Sequence, residues 1–380
     1  MTENKVCVVA SDIVTSYGRG VDVCWQGLLS NRSSIRECHR FQAGGAFQSQ
    51  NAALIPGLEV KQGESLVWQM LKPLLGDSLA QIPKDAALFL ATTTGEIDHL
   101  ETAVLENSSG AERSQPEFLL EKVRNLIGAT GEGMIVSAAC SSASVAIAQG
   151  AARIRSGKEE CVLIVACDCV SEFVFAGFSS LMALDPESAR PFDTSREGLS
   201  LGEGAGFILL MSQRRAEKEG RTILGEIVGW AVAGDANHMT GPVRDGSGLR
   251  RAIQEALAVA GVSRTEVGCI SGHGTGTLYN DSMEMKAYQS VFTDHSVPLY
   301  SIKGAVGHTM GAAGLIETIV ALQVLRERMI PPTVGTRNVD PEAEGWVSLE
   351  KRALKKNVVL VNNSGFGGIN AALILRSCEE

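Results

Sequence analysis

No apolar run in this chain is long enough to span a bilayer, and its start, Met1-Thr2-Glu3-Asn4-Lys5, lacks the basic region and long apolar stretch of a signal peptide. A cytoplasmic protein without a membrane span is the expectation. An excess of positive charge is also missing: the formal net charge is −9, which argues against broad nucleic-acid binding and obliges any acidic partner to find a local basic patch. The nine cysteines show no zinc-type spacing, and most lie in apolar, strand-like surroundings, so reduced thiols are expected rather than a disulfide framework or a metal centre. Cys167-Asp168-Cys169 closes the apolar run Val162-Leu163-Ile164-Val165-Ala166 and reads as buried packing. What remains is ordinary globular material, 380 residues at 44% hydrophobic and 20% charged, enough for one large core or two fused domains.

The pattern along the chain is α/β. Strands are expected at Lys5 to Ala10, Ala86 to Ala91, Gly133 to Val136, Cys161 to Ala166, Ile223 to Ala233, Val267 to Ser271, Leu299 to Ile302 and Asn357 to Val361. Helices are expected from about Asp22 to Leu29, around Ser65 to Lys72, and over Ser141 to Arg155, Gly248 to Ala260 and Ala312 to Arg328, with a polar, helix-prone covering segment from Leu100 to Ala129. Gly202-Glu203-Gly204-Ala205-Gly206 leads into the apolar run Phe207 to Leu210; it reads as a glycine-lined strand approached by another backbone rather than as a phosphate loop. The second half repeats the rhythm of the first. Cys140 and His308 occupy matching places in two similar strand-turn-helix units, which predicts two duplicated halves meeting at a pseudo-twofold axis, with chemistry at the junction.

Cys140 falls at a turn between a strand and a helix. Backbone N–H groups and the positive end of a helix dipole there would stabilise a thiolate and lower its pKa. A small buried hydrophobe is the other reading of such a cysteine, and the stretch alone does not choose between them. Three further stretches bear on the choice. Ser271-Gly272-His273-Gly274-Thr275-Gly276-Thr277 sets a histidine among glycines and hydroxyls that leave room for a ligand. His308 precedes Gly311-Ala312-Ala313-Gly314 at a helix start, where the dipole would keep the imidazole neutral. Lys303, near the end of a short strand, is hard to explain as surface, and Gly365-Phe366-Gly367-Gly368 offers turn N–H groups to an oxyanion.

Taken with Arg190-Pro191-Phe192-Asp193, Asp235 to Thr240, Asn280-Asp281 with Glu284, and Lys303 through His308 to Glu317, these motifs stand in an order that resembles the β-ketoacyl-acyl-carrier-protein synthases. Those are decarboxylating condensing enzymes of the thiolase-like superfamily, and the likeness is greatest to the branch with a Cys-His-His site. The resemblance implies a thiolase-like fold of two duplicated βαβαβαββ halves in five layers (αβαβα): residues 1–212, carrying Cys140, and residues 213–380, carrying His273, Lys303 and His308. It implies that Cys140 takes an acyl group from acyl carrier protein, with its own N–H and that of Phe366 as oxyanion hole. His273 and His308 would stabilise the enolate left when malonyl-carrier protein loses carbon dioxide. Lys303 would orient its neighbours with Glu317, Asp281 and Glu284 would support the site, Thr275 and Thr277 would bond the phosphopantetheine arm, and Phe366 would gate the channel. No cofactor beyond that carried arm is expected. The partners implied are acyl carrier protein and either a second copy or a chain-length-factor-like subunit.

The chain departs from the pattern at Ser364, Leu199 and Leu278, and looks shortened between Arg40 and Lys84 and between Asn107 and Gly131, where relatives build the acyl tunnel and part of the dimer contact. Arg36, Arg40, Lys122 and Arg124 are the basic residues that offer themselves for the carrier. A thiolase would need a second cysteine near Asn363-Ser364-Gly365-Phe366, and a Cys-His-Asn enzyme would need asparagine in place of His308; neither is present. The alternative from another class is a non-catalytic, chain-length-factor-like subunit, against which stands the retention of Cys140 with both histidines.

Overall fold

The computed structural model describes residues 4–41 and 47–378; the first three residues of the start examined for a targeting signal lie outside them. Ten strands form the path of one large sheet: β1 (Val6–Thr15), β2 (Ala87–Ala91), β3 (Gly133–Val136), β4 (Cys161–Asp168), β5 (Gly204–Ser212), β6 (Gly225–Gly234), β7 (Val267–Ser271), β8 (Leu299–Tyr300), β9 (Val358–Gly365) and β10 (Ile369–Arg376). Their spatial order is β8-β7-β9-β10-β6-β1-β5-β4-β2-β3. Read inward from both ends, the order pairs β3 with β8, β2 with β7, β4 with β9, β5 with β10 and β1 with β6. The directions match as well, parallel for β2–β3 and β7–β8, antiparallel for β4–β5 and β9–β10.

The two halves of the sheet are joined only where β1 meets β6, through Cys7 opposite Glu226 and Val8 opposite Gly225. Beyond that joint the halves part, and two helices fill the space between them: α3 (Ser142–Arg155) and α7 (Ala313–Glu327) each pack on strands of both halves. Helices α1 (Leu66–Gly76) and α2 (Pro116–Ile127) cover the outer face of the first half, and α5 (Ser247–Ala260) with α6 (Leu278–Val291) that of the second. The result is the five-layered α/β arrangement of a thiolase-like fold.

Sequence explains why α3 and α7 go inside. From Ala313 to Leu325 every residue of α7 is buried, so the helix has no polar face to give to water. Small residues on α3 let its neighbours come close. A Cβ placed on Gly314 of α7 would strike Ser144 Oγ of α3 and lie 2.7 Å from Asn363 Oδ1. Gly202 similarly admits the backbone at Val306 and Gly307, the close approach expected of that glycine cluster.

Several elements differ from expectation. The first strand continues to Thr15 because β1 is flanked on both sides and buries residues on both faces. The Leu100 to Ala129 segment breaks into Ile97–Leu105 and α2, with Asn107 and Gly110 at positive φ between them. The strand expected over Leu299 to Ile302 stops at Tyr300. Helix α6 and strand β10 were not anticipated: α6 buries Asn280, Asp281 and Glu284, which spoils its apolar periodicity, and β10 is an apolar run without alternation. Among the described residues no helix is long and apolar enough to cross a membrane.

The tight contact of α7 on α3 is testable. Gly314→Ala should destabilise the protein by about 1–3 kcal/mol through overpacking, whereas Gly76→Ala, whose Cβ meets nothing within 4 Å, should be neutral or stabilising by about 1 kcal/mol or less, both read by urea unfolding. Equal behaviour of the two variants would contradict the packing described.

Candidate active site

Cys140 follows β3 and His308 follows β8, the strands at opposite ends of the path. The turn before α3 is tight. Ala139 holds a left-handed φ of 49°, unusual for a residue with a side chain, and Ser142 Oγ ties the turn together by accepting from Ala138 N at 2.8 Å and donating to Ala139 O at 2.6 Å. Ser141 Oγ reaches the turn between β9 and β10, donating to Ile369 O at 3.0 Å. Gly365 lies so close that a Cβ there would be 3.0 Å from Ala138 O and 3.2 Å from Cys140 N. Pressed together in this way, the two turns direct the N–H groups of Phe366 and of Cys140 itself at the Cys140 sulfur.

The electrostatics of that sulfur correct the sequence expectation. Burial pushes the Cys140 thiol up to about 12, with the charge of Lys303 pulling down and that of Asp168 pushing up. Any help from the helix end is outweighed by loss of water. Burial therefore favours the neutral thiol over a standing thiolate at Cys140.

His273 lies two residues beyond the end of β7 and is fixed from behind by α6. Glu284 accepts from His273 N at 2.7 Å and Gly274 N at 2.6 Å, while Asp281 accepts from Thr275 N at 3.1 Å and Gly276 N at 3.2 Å. Those two carboxylates sit three residues apart on one face of the helix, which is why buried acids were worth building into it. Burial and the neighbouring Glu284 raise Asp281 to about 6. Thr275 and Thr277 share a hydroxyl hydrogen bond of 3.0 Å, and Thr277 also caps α6.

Lys303 is 1% exposed and opens a short helical turn, Lys303–Val306, rather than ending a strand. Its ammonium donates to His273 O at 2.6 Å and pairs with Glu317 of α7. Glu317 Oε2 then accepts from Asn363 Nδ2 at 2.6 Å, Asn363 Oδ1 accepts from Ser144, and the same Nδ2 lies 3.3 Å from His273 Nδ1. A carboxylate only accepts, so the amide must present Nδ2 to it and can only donate to the imidazole. His273 Nδ1 is thereby an acceptor, and the ring proton sits on Nε2. His308 reaches the same state by another route, since Met310 N donates to its Nδ1 at 3.2 Å. Both imidazoles are held well below the usual histidine range by burial and by the Lys303 charge.

The rings of His273 and His308 meet edge to face with centroids 5.2 Å apart, and both line one cavity of about 680 Å³ with Cys140, Thr275, Thr277 and Phe366. Phe178, on helix α4 (Glu172–Ser180), stacks on Phe366 at 5.8 Å. Lys303, Glu317, Asp281 and Glu284 stand behind the lining. The structure thus brings together the catalytic, oxyanion, binding and supporting residues expected from the sequence, whereas the basic candidates Arg36, Arg40, Lys122 and Arg124 do not line the cavity. Two were missed. Asn363 links Glu317 to His273, and its signal was a polar side chain in an apolar strand just before the glycine turn. Asp168, read as packing, is fully buried and accepts from Thr92 and Thr93 and from Gly311 N, so that it ties the β2 turn to the segment after His308. Among the described residues no cluster of three metal-ligating side chains is present.

Histidines so placed should stay uncharged. Ring-nitrogen NMR should find both imidazoles neutral, with the proton on Nε2, from about pH 5.5 to about pH 8, protonation requiring a pH well below the ordinary midpoint. An imidazole of this pair titrating at the free-histidine value, or an Asn363→Ala variant in which the His273 tautomer is unchanged, would contradict the arrangement.

The family comparisons agree with this geometry. The model of the β-ketoacyl synthase N-terminal domain matches residues 77–216, and that of the C-terminal domain residues 224–337. The 3-oxoacyl-[acyl-carrier-protein] synthase 2 of Rhizobium meliloti is 30% identical over 98% of both chains. The actinorhodin polyketide putative β-ketoacyl synthase 1 of Streptomyces coelicolor is 35% identical over 70% of this chain and 59% of its own. Among solved structures, the ishigamide ketosynthase/chain length factor superposes with a TM-score of 0.87 at 28% identity, covering 99% of this chain and 100% of that one. Fold, site and relatives together place the chain in the β-ketoacyl synthase family.

Proposed function

We propose that the protein is a β-ketoacyl-acyl-carrier-protein synthase of fatty-acid or polyketide biosynthesis. The observation that carries the reading is one cavity holding a thiol and two neutral imidazoles from distant parts of the chain, with two N–H groups aimed at the thiol sulfur.

In the first half-reaction the Cys140 sulfur attacks the acyl thioester carbonyl. The N–H groups of Cys140 and Phe366 hold the oxyanion, and the pantetheine sulfur leaves with the proton that Cys140 gives up. A thiol pushed up to about 12 by burial gives up that proton only as the bond forms, so acylation is expected to depend on substrate binding. In the second half-reaction malonyl-carrier protein loses carbon dioxide. The Nε2–H donors of His273 and His308 stabilise the resulting enolate, a role that suits neutral rings better than charged ones. The enolate carbon attacks the acyl-Cys140 carbonyl, forms the carbon–carbon bond and releases the Cys140 sulfur, which takes a proton from water. Lys303 and Glu317 position His273 rather than touch the substrate, as do Asp281 and Glu284. Thr275 and Thr277 line the channel for the phosphopantetheine arm, and Phe366 with Phe178 gates it. No cofactor of the protein's own enters this scheme.

The scheme goes with further proposals: a division at residues 212 and 213 into two duplicated halves, supported by the palindromic strand order; a cytoplasmic site of action; acyl carrier protein as donor; and pairing with a second copy or with a chain-length-factor-like subunit. The name of the ishigamide relative supports the last of these. Retention of the thiol and both imidazoles favours a catalyst over a subunit that only shapes a partner's tunnel.

Cys140→Ser should abolish acyl transfer, seen as loss of the acylated protein by intact mass. His273→Ala and His308→Ala should each keep acylation and lower carbon dioxide release from malonyl-carrier protein by about 100-fold or more. Condensation surviving in Cys140→Ser, or undiminished carbon dioxide release by either histidine variant, would overturn the assignment.

A further inference from the structure

Of the basic residues offered by the sequence for the carrier, three are engaged by acids and none stands at the cavity. Arg40 is buried against Glu203, Lys122 pairs with Glu96 at 2.7 Å, Arg124 lies 3.8 Å from Glu121, and none of these, nor Arg36, lines the cavity. Positive charge collects elsewhere. The cavity mouth is rimmed by Asn237, His238, Thr240, Arg244, Leu278 and Tyr279. Arg244 lies over the Tyr279 ring at 4.1 Å, a stack that holds the guanidinium at the rim without neutralising it. Lys286 Nζ donates to Arg244 O at 3.3 Å, Arg250 Nη1 to Ser290 Oγ at 3.4 Å one turn along α6, and Arg251 Nη2 to Gly234 O at 2.7 Å beside the rim loop.

Among the described residues none of these four cations is paired with a carboxylate, whereas Arg153, Arg190, Arg196, Arg214, Arg215 and Arg264 all are. The four are distinguished by being grouped beside the mouth, since among the described residues Arg32, Lys61 and Lys84 make no ion pair either. Asp245, the acid next to Arg244, feels the charge of Arg250 but is turned to Ser247 N at 3.0 Å. Beside the cations lie large apolar side chains that a free surface would not normally carry together: Met239 is 79% exposed, Tyr279 57% and Leu278 54%. A chain of net charge −9 repels an acidic protein at long range, so attraction has to be supplied locally, at the mouth.

We propose that Arg244, Lys286 and Arg250, with Met239, Leu278 and Tyr279, form the surface on which the acidic carrier protein docks, Arg244 facing the phosphate at the root of the pantetheine arm. The inference rests on the reading above, that substrates arrive on a carrier. It adds where the carrier sits: over the second half's α5 and α6 and the rim loop, on the side of Thr275 and Thr277. Leu278 and Arg244 then serve recognition, and the surface is amphipathic in the way an acidic helix with an apolar stripe requires.

The test separates docking from chemistry. Lys286→Glu combined with Arg250→Glu, neither of which lines the cavity, should slow acylation of Cys140 by acyl-carrier protein at least about 10-fold at low salt. Acylation by the acyl-N-acetylcysteamine thioester, which has no carrier, should stay within about two-fold of wild type. In anisotropy titrations with a fluorescently labelled bacterial holo-acyl carrier protein, Arg244→Glu should weaken binding about 10-fold or more, while Arg36→Glu, exposed but away from the mouth, should bind like wild type. Unchanged carrier binding by Arg244→Glu, an equal loss in Arg36→Glu, or a parallel loss with both donors would overturn the proposal. Should neither donor acylate the wild-type protein, the reading of Cys140 falls instead, and the titrations still decide the docking surface.

Discussion

The buried ion pair between Lys303 and Glu317 is the constraint on which the site depends. Both side chains are 1% exposed, so each charge has been taken out of water at a cost of several kcal/mol that attraction alone does not reliably return. The pair is better understood by what it orients. With Lys303 at one oxygen, Glu317 stays an acceptor at the other, which turns the Asn363 amide, which in turn sets the His273 tautomer. The same ammonium holds the His273 carbonyl in place and discourages charge on both rings. One charge thus does two jobs for two imidazoles. Removing either member of the pair would leave an uncompensated ion beside the reacting atoms.

Burial dominates the electrostatics throughout. It raises the Cys140 thiol, depresses both histidines and lifts Asp281, in each case as the first cause. A buried site favours neutral partners that become charged only as bonds change, and it strengthens every N–H that meets a developing negative charge.

Much of this was legible in the sequence because the features concerned are local or ordered. The apolar strands Gly133–Val136 and Val267–Ser271 lie where the pattern put them, and His273, Lys303, His308 and Cys140 each announced themselves by a costly residue type at a turn. What escaped is tertiary. Helix α6 hides its periodicity because its acids point inward to hold the His273 loop, and β10 lacks alternation because both its faces are covered. Asn363 looks like a misplaced polar residue until Glu317 is beside it. The basic rim was invisible because Lys286 stands far along the chain from Arg244 and Arg250 and joins them only when α5 packs on α6.

The strand order also has a bearing on how the molecule comes into being. β10, last of the ten along the chain, lies next to the joint in the middle of the sheet, between β9 and β6. Strands made early keep an unpaired edge until β9 and β10 have both been made, and the Phe366 N–H, which lies on the turn between them, can reach Cys140 only then. A chain that has not yet reached β10 therefore carries the Cys140 thiol without the second N–H beside it.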